Sequence, residues 1–312
     1  MKKFISKIVF LFLPFGILSL SLDIYVSNQL RKSHINGDIE VWNDIYDGKA
    51  GCEIAIYGSS RATRHINPLI LEDSLNQTGY NFGIDGHHFE MQYFRHTEFT
   101  KYDQPPKTII LSVDIFSLGR RYDLYNSQQF LPFMFWNKTV YEYTSDYKGY
   151  SSLDYFVPLI RYIGNGEIIH SLIKNPNSPQ INQKGFKGME RTWSDDFVKA
   201  KMGKDKYVIQ YDAATISLFH QFIKECKDTG TELILLYTPE YIDGQNFVEN
   251  RNVLIDLYKN IAQEYDLLYL DYSDDELCYQ KDFFYNGEHL NSKGADLFTK
   301  KLASDLKKLR TE

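Results

Sequence analysis

The sequence predicts an α/β fold, a parallel sheet covered by helices on both faces. Three observations carry this. Short aliphatic runs such as "TIILSV" (108–113) and "ELILLY" (232–237) lack polar alternation, the pattern of strands buried on both sides. Between such runs lie amphipathic segments long enough to be helices, so strand and helix alternate along most of the chain. At 312 residues, 43% of them hydrophobic, the chain can bury a full core in one large domain. The expected architecture is a three-layer α/β/α sandwich.

The first element differs from the rest. Lys2, Lys3 and Lys7 precede an apolar stretch, Ile8 to Val26, interrupted by Pro14, Gly16, a few serines and Asp23, and followed by Arg31 and Lys32. A bilayer crossing needs ~20 such residues. No small-x-small cleavage site follows the run, so residues 1–35 read as an uncleaved single-pass membrane anchor rather than a signal peptide. The lysines at the start place the N-terminus in the cytoplasm. Residues 36–312 would then form one extracytoplasmic domain.

Within that domain the strands are expected at 52–57, 80–82, 108–113, 232–237 and 267–270, and helices at 68–75, 88–99, 213–226, 246–264 and 292–309. The rhythm fails between about 117 and 205. This stretch holds "FLPFMFW", tyrosines 122, 125, 141, 143, 147, 150 and 155, and a polar run "KNPNSPQINQKGFKG". A structureless loop of that length is implausible in a compact domain, so it reads as an insertion with helices of its own, leaving the carboxyl end of the third strand. Ligands of open α/β sheets bind at that end. The aromatics would serve either as a substrate platform or as a local core.

Several function classes are excluded or weakened. Thirty-five Lys and Arg against forty-one Asp and Glu give a net charge of −6, with no basic stripe for nucleic acid. Cys52, Cys226 and Cys278 are odd in number and form no C-x-x-C pair, which specifies neither a disulfide framework nor a zinc site; small buried hydrophobes are their expected role. His65, His87, His88, Glu90 and His96 have no metal-ligand spacing. No metal or organic cofactor is expected.

The chemistry concentrates in two segments. Gly58-Ser59-Ser60-Arg61 follows the first strand and opens a helix, where backbone N–H groups and a positive dipole end face a developing oxyanion. A serine there also serves simply as a helix cap. The run is neither G-x-S-x-G nor G-x-G-x-x-G. The second segment, "FFYNGEHLNSKGADLF" (283–298), sets His289 in the loop after the fifth strand, at the sheet edge where Ser60 lies. A nucleophilic serine needs such a base. Arg61 and Arg64 are candidates for contacting a carboxylate or phosphate on the substrate, or for ion pairs with Asp85 or Glu90.

These blocks resemble the SGNH, or GDSL-like, hydrolase family over about 52–116 and 207–309. Its Gly-Asp-Ser block is similar to Gly58-Ser59-Ser60, which implies Ser60 as nucleophile and Ser59 as a substituted position. "NFGIDG" resembles the second block and implies Gly86 in the oxyanion hole. The third block's Asn falls on Asp114, and Asp-x-x-His falls on Asn286-Gly-Glu-His289. The likeness is greatest to the membrane-anchored subgroup that includes alginate O-acetylation and teichoic-acid D-alanylation proteins. An ionised Asp114 would repel an oxyanion. Asn286 supplies no charge to an imidazolium and could hold the wrong tautomer, with Asp282 or Glu288 as substitutes.

The resemblance implies an esterase or O-acyltransferase acting on acyl esters of a cell-surface polysaccharide, partnered, if it transfers, by a membrane protein that exports acyl groups. A non-catalytic glycan-binding or scaffold protein on a degenerate version of the fold is the second reading. A flavodoxin-like nucleotide binder, with phosphate at 58–61, is a third, and it gives the His289 block no purpose.

Overall fold

A computed structural model describes residues 2–123, 125–175, 178–194, 196–202 and 205–311. In chain order the first elements are α1 (Lys2–Lys32), α2 (Gly37–Tyr46), β1 (Ile54–Gly58), α3 (Ser60–His65), α4 (Pro68–Leu75), β2 (Gly79–Asn81), α5 (Phe89–Tyr102) and β3 (Thr108–Val113). Then come α6 (Lys138–Thr144), α7 (Ser152–Phe156), α8 (Gly166–Lys174), α9 (Asp196–Lys201) and α10 (Ala213–Thr229). The chain finishes with β4 (Glu232–Tyr237), α11 (Ile242–Asn246), α12 (Arg251–Tyr265), β5 (Leu268–Asp271) and α13 (Ser292–Thr311). By its contacts the chain divides into two compact units, one of residues 1–43 with 122–181, the other of residues 44–121 with 182–312.

The second unit holds the sheet. Its five strands are all parallel in the order β2-β1-β3-β4-β5, the expected α/β/α architecture. β1, β3 and β4 are buried nearly throughout, which is why they read as unbroken aliphatic runs. Because side chains alternate along a strand, Ile54, Ile56, Ile110, Ile234 and Leu236 form one core with Ala62, Leu71, Phe298 and Leu302 of α3, α4 and α13. On the other face Phe89 of α5 packs on Phe219 and Phe222 of α10, and Phe219 packs on Tyr258 of α12.

The register sets up the site. Gly58 lies opposite Ser112, and Val113 opposite Tyr237, so β1, β3 and β4 end together at their carboxyl edge. Gly58 has φ +148°, and a Cβ there would lie 2.7 Å from both Ala62 Cβ and the Ser112 carbonyl oxygen. No other residue lets β1 turn so closely into α3.

One expected element is divided. The helix read over 246–264 begins at Arg251, after the separate turn α11, and the side chain of Asn250, its N-cap residue, bonds Ile209 rather than capping the helix: Oδ1 accepts from Ile209 N at 2.7 Å and Nδ2 donates to Ile209 O at 3.1 Å.

The first unit has an aromatic core of its own. Trp42, Phe130, Phe133, Met134, Tyr147 and Tyr155 are buried, and Trp42 Nε1 donates to Gln129 Oε1 at 2.9 Å. Most of these aromatics come from the insertion, which therefore forms a local core. Residues 182–202, by contrast, belong with the sheet unit.

Helix α1 contains a stretch, Phe10–Lys32, long and apolar enough to cross a membrane. Met1 and the side chains of Lys2 and Lys3, the basic start of the expected anchor, lie outside the described residues. Pro14 sits inside the helix without ending it.

Candidate active site

Ser60 is the first residue of α3, and Ser59 is its N-cap, with Oγ accepting from Arg61 N at 3.3 Å. The capping role read for these serines belongs to Ser59. Its partner is free for other work. Ser60 Oγ lies 2.7 Å from His289 Nε2, 229 residues away in sequence. As the opening residue of a helix, Ser60 also has an N–H with no intrahelical acceptor.

Which nitrogen of His289 carries the proton follows from its other neighbour. Asn286 Oδ1 accepts from the backbone N–H of Glu288 at 3.0 Å and of His289 at 2.9 Å. Two converging donors identify that atom as the amide oxygen, so His289 Nδ1, 3.1 Å away, must donate to it. Nε2 then keeps its lone pair and accepts the Ser60 hydroxyl. Asn286 thus holds the tautomer a general base requires, against the expectation that an amide there could hold the wrong one. Burial and the Arg64 and Arg61 guanidinium groups push His289 down to about 3, so the ring is neutral across ordinary pH.

The loop that carries His289 is held from three sides. His65, fully buried, accepts from Leu290 N through Nε2 at 3.0 Å, which leaves Nδ1 to donate to Thr238 Oγ1 at 2.9 Å. Tyr285 lies flat on the His289 ring, 5.4 Å between centroids and 8° between planes, and Arg191 covers Tyr285. Beyond Gly287, a Cβ would lie 2.7 Å from the Phe197 ring. Arg191 and Phe197 therefore pack over this loop.

Under Ser60 lies a charged layer. Arg61, 3% exposed, pairs with Glu240 at 2.8 Å, donates to the Thr238 side chain and carbonyl, and stacks on Tyr237. It faces protein rather than solvent. Arg64 pairs with Asp85 at 2.7 Å, one of the two ion pairs the sequence offered. A role in substrate contact would have to be shared with these partners.

Ser59 donates to Asp114 Oδ2, while Oδ1 accepts from Phe116 N at 2.8 Å and Ser117 Oγ at 3.2 Å. Asp114 occupies an acceptor's place and has no amide proton to give an oxyanion. Gly86, in the left-handed region at φ +74°, offers its carbonyl to Arg121 at 2.8 Å. Asp282 is exposed on its surface turn. Asn286 alone meets that nitrogen among the three candidates.

Glu288 instead lines a cavity of about 20 Å³, room for one water, together with Ser59, Ser60, Arg61, Asp114, Glu240 and His289. Burial raises its carboxyl to about 7; Glu240 and Asp114 add to the rise and Arg61 opposes it. A carboxylate forming beside Ser60 opposes an oxyanion there. Were Ser60 to attack a neutral ester, turnover by the wild type would fall as pH rises through about 7, and Glu288→Gln would remove that limb. A pH profile in which the variant keeps the fall would assign it to another group. The linkage signs oppose each other. Glu288, raised on folding, contributes stability below its ordinary value that is lost as pH rises through about 7; His289, lowered, contributes above its ordinary value and loses it as pH falls through about 3.

Thr238, Glu240 and Tyr285 were not singled out by the sequence, and His65 was singled out only as one of a histidine-rich set, not as a support of the His289 loop. Thr238 and Glu240 had a usable signal, their place just past the fourth strand's carboxyl end. His65 had none, because its partner Leu290 is 225 residues distant. The remaining members of the histidine-rich set are dispersed: His96 bonds Tyr57 and His88 stacks on Phe116. Among the described residues no group of three or more His, Cys, Asp or Glu is placed to hold a metal.

No protein-family model matches the sequence, and no curated protein matches it. Among solved structures it is similar to a protein from Desulfitobacterium hafniense described as lipolytic and of the G-D-S-L family, at 12% identity over 81% of this chain and 98% of that one, TM-score 0.41. A Streptococcus pneumoniae structure described as a platelet activating factor matches at 13% identity over 96% and 99%, TM-score 0.41. A Bacteroides fragilis structure described as an acylhydrolase matches at 10% identity over 83% and 88%, TM-score 0.36.

Proposed function

We propose that this chain is a serine hydrolase of the SGNH type acting on acyl esters, with Ser60 as nucleophile, His289 as base and Asn286 as the group that orients the base. One observation carries the reading: a hydroxyl 2.7 Å from an imidazole nitrogen whose lone pair is fixed toward it by an anchored amide oxygen. Ser60 Oγ attacks the ester carbonyl as its proton passes to His289 Nε2. The oxyanion is received by the backbone N–H groups of Ser60 and Gly86. Collapse expels the alcohol with the proton from Nε2, and water or an acceptor hydroxyl then releases the acyl group from Ser60.

The finer assignment is extracytoplasmic. Helix α1 spans the cell membrane, the catalytic domain lies outside, and the ester is an O-acyl group of a cell-surface polysaccharide. Transfer in place of hydrolysis would require a membrane protein that exports acyl groups. The aromatics of the insertion, Trp193 among them, are candidates for stacking on sugar rings.

A second reading, a glycan-binding scaffold, is favoured by the three carboxylates of Asp114, Glu240 and Glu288 around the Ser60 cavity. A fluorophosphonate probe separates the two. Labelling that maps to Ser60 and disappears in Ser60→Ala is expected; folded wild-type protein that stays unlabelled would favour the scaffold.

A further inference from the structure

The first unit displays an apolar patch beside the point where α1 enters its fold. Asp23, Ser27, Leu30 and Ser33 are buried along one face of α1 and just beyond its end, whereas the large apolar residues from Phe10 to Leu22 are exposed. Docking of the helix thus begins at Asp23. That carboxylate accepts from Arg161 Nη1 and Nη2, each at 2.7 Å, and from Leu159 N at 2.7 Å, while the Arg161 guanidinium lies over Phe135, 5.3 Å from its ring centre. Residues 159 and 135 are therefore fixed at the level of Asp23.

Their chain neighbours face outward. In α7 Leu153 and Phe156, with Val157 just past it, lie at i, i+3 and i+4 and are 55, 49 and 37% exposed, while Tyr155 between them is fully buried. Trp136 is 72% exposed, its ring 6.3 Å from Phe156. Its backbone is left-handed at φ +54°, an uncommon and costly state for a bulky residue, and its N–H is held by the Tyr155 carbonyl at 2.9 Å. The indole is thus presented outward by a constrained turn. Only Pro158 separates Val157 from Leu159, which keeps Val157 within about 7 Å of the residue that bonds Asp23.

We propose that Trp136, Leu153, Phe156 and Val157 form an interfacial belt that seats in the headgroup region of the bilayer crossed by α1. The inference rests on the reading of α1 as a membrane span. Continuity selects the bilayer as occupant: Ile24 and Tyr25 are still exposed at the level of Asp23, and Arg161, which pairs with Asp23, lies over Phe135, whose ring is 6.2 Å from that of Trp136. Tryptophan with an apolar body and one N–H donor favours that zone. A lone aromatic on a surface needs no explanation, but a contiguous apolar patch does.

The test uses the full-length chain reconstituted in phospholipid vesicles, with the fluorescence of Trp136 taken as the difference between wild type and Trp136→Phe. Lipid brominated near the headgroup should quench this component, lipid brominated near the chain end should quench it less, and acrylamide in the water should quench it weakly. Protein that floats with the vesicles while Trp136 is quenched by acrylamide and by neither lipid leaves α1 in the membrane and overturns the belt. Protection from acrylamide and bromine alike would mean that protein, a second copy or a partner, covers the patch, which also overturns it. Failure to float with vesicles would remove the membrane span and the belt together.

Discussion

Exchange of Asn286 for Asp is expected to raise the turnover of an activated ester by up to about 10³-fold while keeping the Ser60–His289 hydrogen bond. In serine proteases the reverse exchange costs ~10⁴, with the wrong histidine tautomer as its cause. Here the tautomer is already right, because the N–H groups of Glu288 and His289 pin the Asn286 oxygen toward Nδ1. What the amide lacks is charge. A carboxylate ~4 Å from an imidazolium, at an effective dielectric constant near 20, contributes about 4 kcal/mol, and each ~1.4 kcal/mol is a factor of ten. That sets the upper bound, since the same carboxylate must be desolvated.

The variant should also lift His289 from about 3, moving the acid limb of the pH–rate profile upward. Ser60→Ala and His289→Ala should each lower turnover by about 10³ or more, as removal of a member of such a unit does. Asp282→Ala should change little. If Asn286→Asp equals the wild type at every pH while Glu288→Ala or Asp282→Ala abolishes turnover, the acid partner is one of those two. If none of these variants differs from the wild type, Ser60 is not a nucleophile.

The differences from the resembled blocks read otherwise once the contacts are known. Ser59 and Asp114 stand where the resembled blocks carry a carboxylate and an amide, and read separately each looks like damage. In the fold Ser59 donates directly to Asp114 Oδ2. The Ser59 hydroxyl and the Asp114 carboxylate satisfy each other across the β1–β3 edge. No single-sequence argument finds this, because 55 residues separate the partners.

The sheet was legible because its physics is local. Strands buried on both faces must be aliphatic throughout, so β3 and β4 fall at 108–113 and 232–237 as read. Helix α4 was equally plain, with Asn67 capping Leu69 N and Pro68 in its first turn. Ser60 and His289 were legible for a topological reason, both lying at the carboxyl edge of a parallel sheet. What escaped was long-range pairing. The buried Arg61–Glu240 pair looks in sequence like a free arginine beside a serine, and Asp23 looks like an interruption of an apolar run.

Breaking the Asp23–Arg161 pair is expected to destabilise the first unit by about 3–5 kcal/mol, because either single truncation leaves an uncompensated buried charge. Both side chains are 1% exposed or less, the guanidinium meets both carboxylate oxygens, and its Nε–H donates to the Leu131 carbonyl at 2.6 Å. Ser27 Oγ accepts from Arg161 at 3.0 Å and bonds the Tyr162 hydroxyl at 2.8 Å, so the lock reaches one turn further along α1. Arg161→Ala leaves the buried Asp23 carboxylate without its cation. Asp23→Ala strands a guanidinium that cannot be neutralised at accessible pH. Replacing both, as Asp23→Leu with Arg161→Met, removes both desolvation costs together and should recover most of the loss, since well-packed apolar residues match or exceed a buried ion pair. Limited proteolysis of detergent-solubilised protein supplies the measurement, scored at cleavage sites within 122–181. Fast cleavage in both single variants and near wild-type resistance in the double is the expected pattern. Single variants as resistant as the wild type would mean that the pair contributes nothing to holding α1 on this unit, and that its apolar neighbours hold the helix there without it.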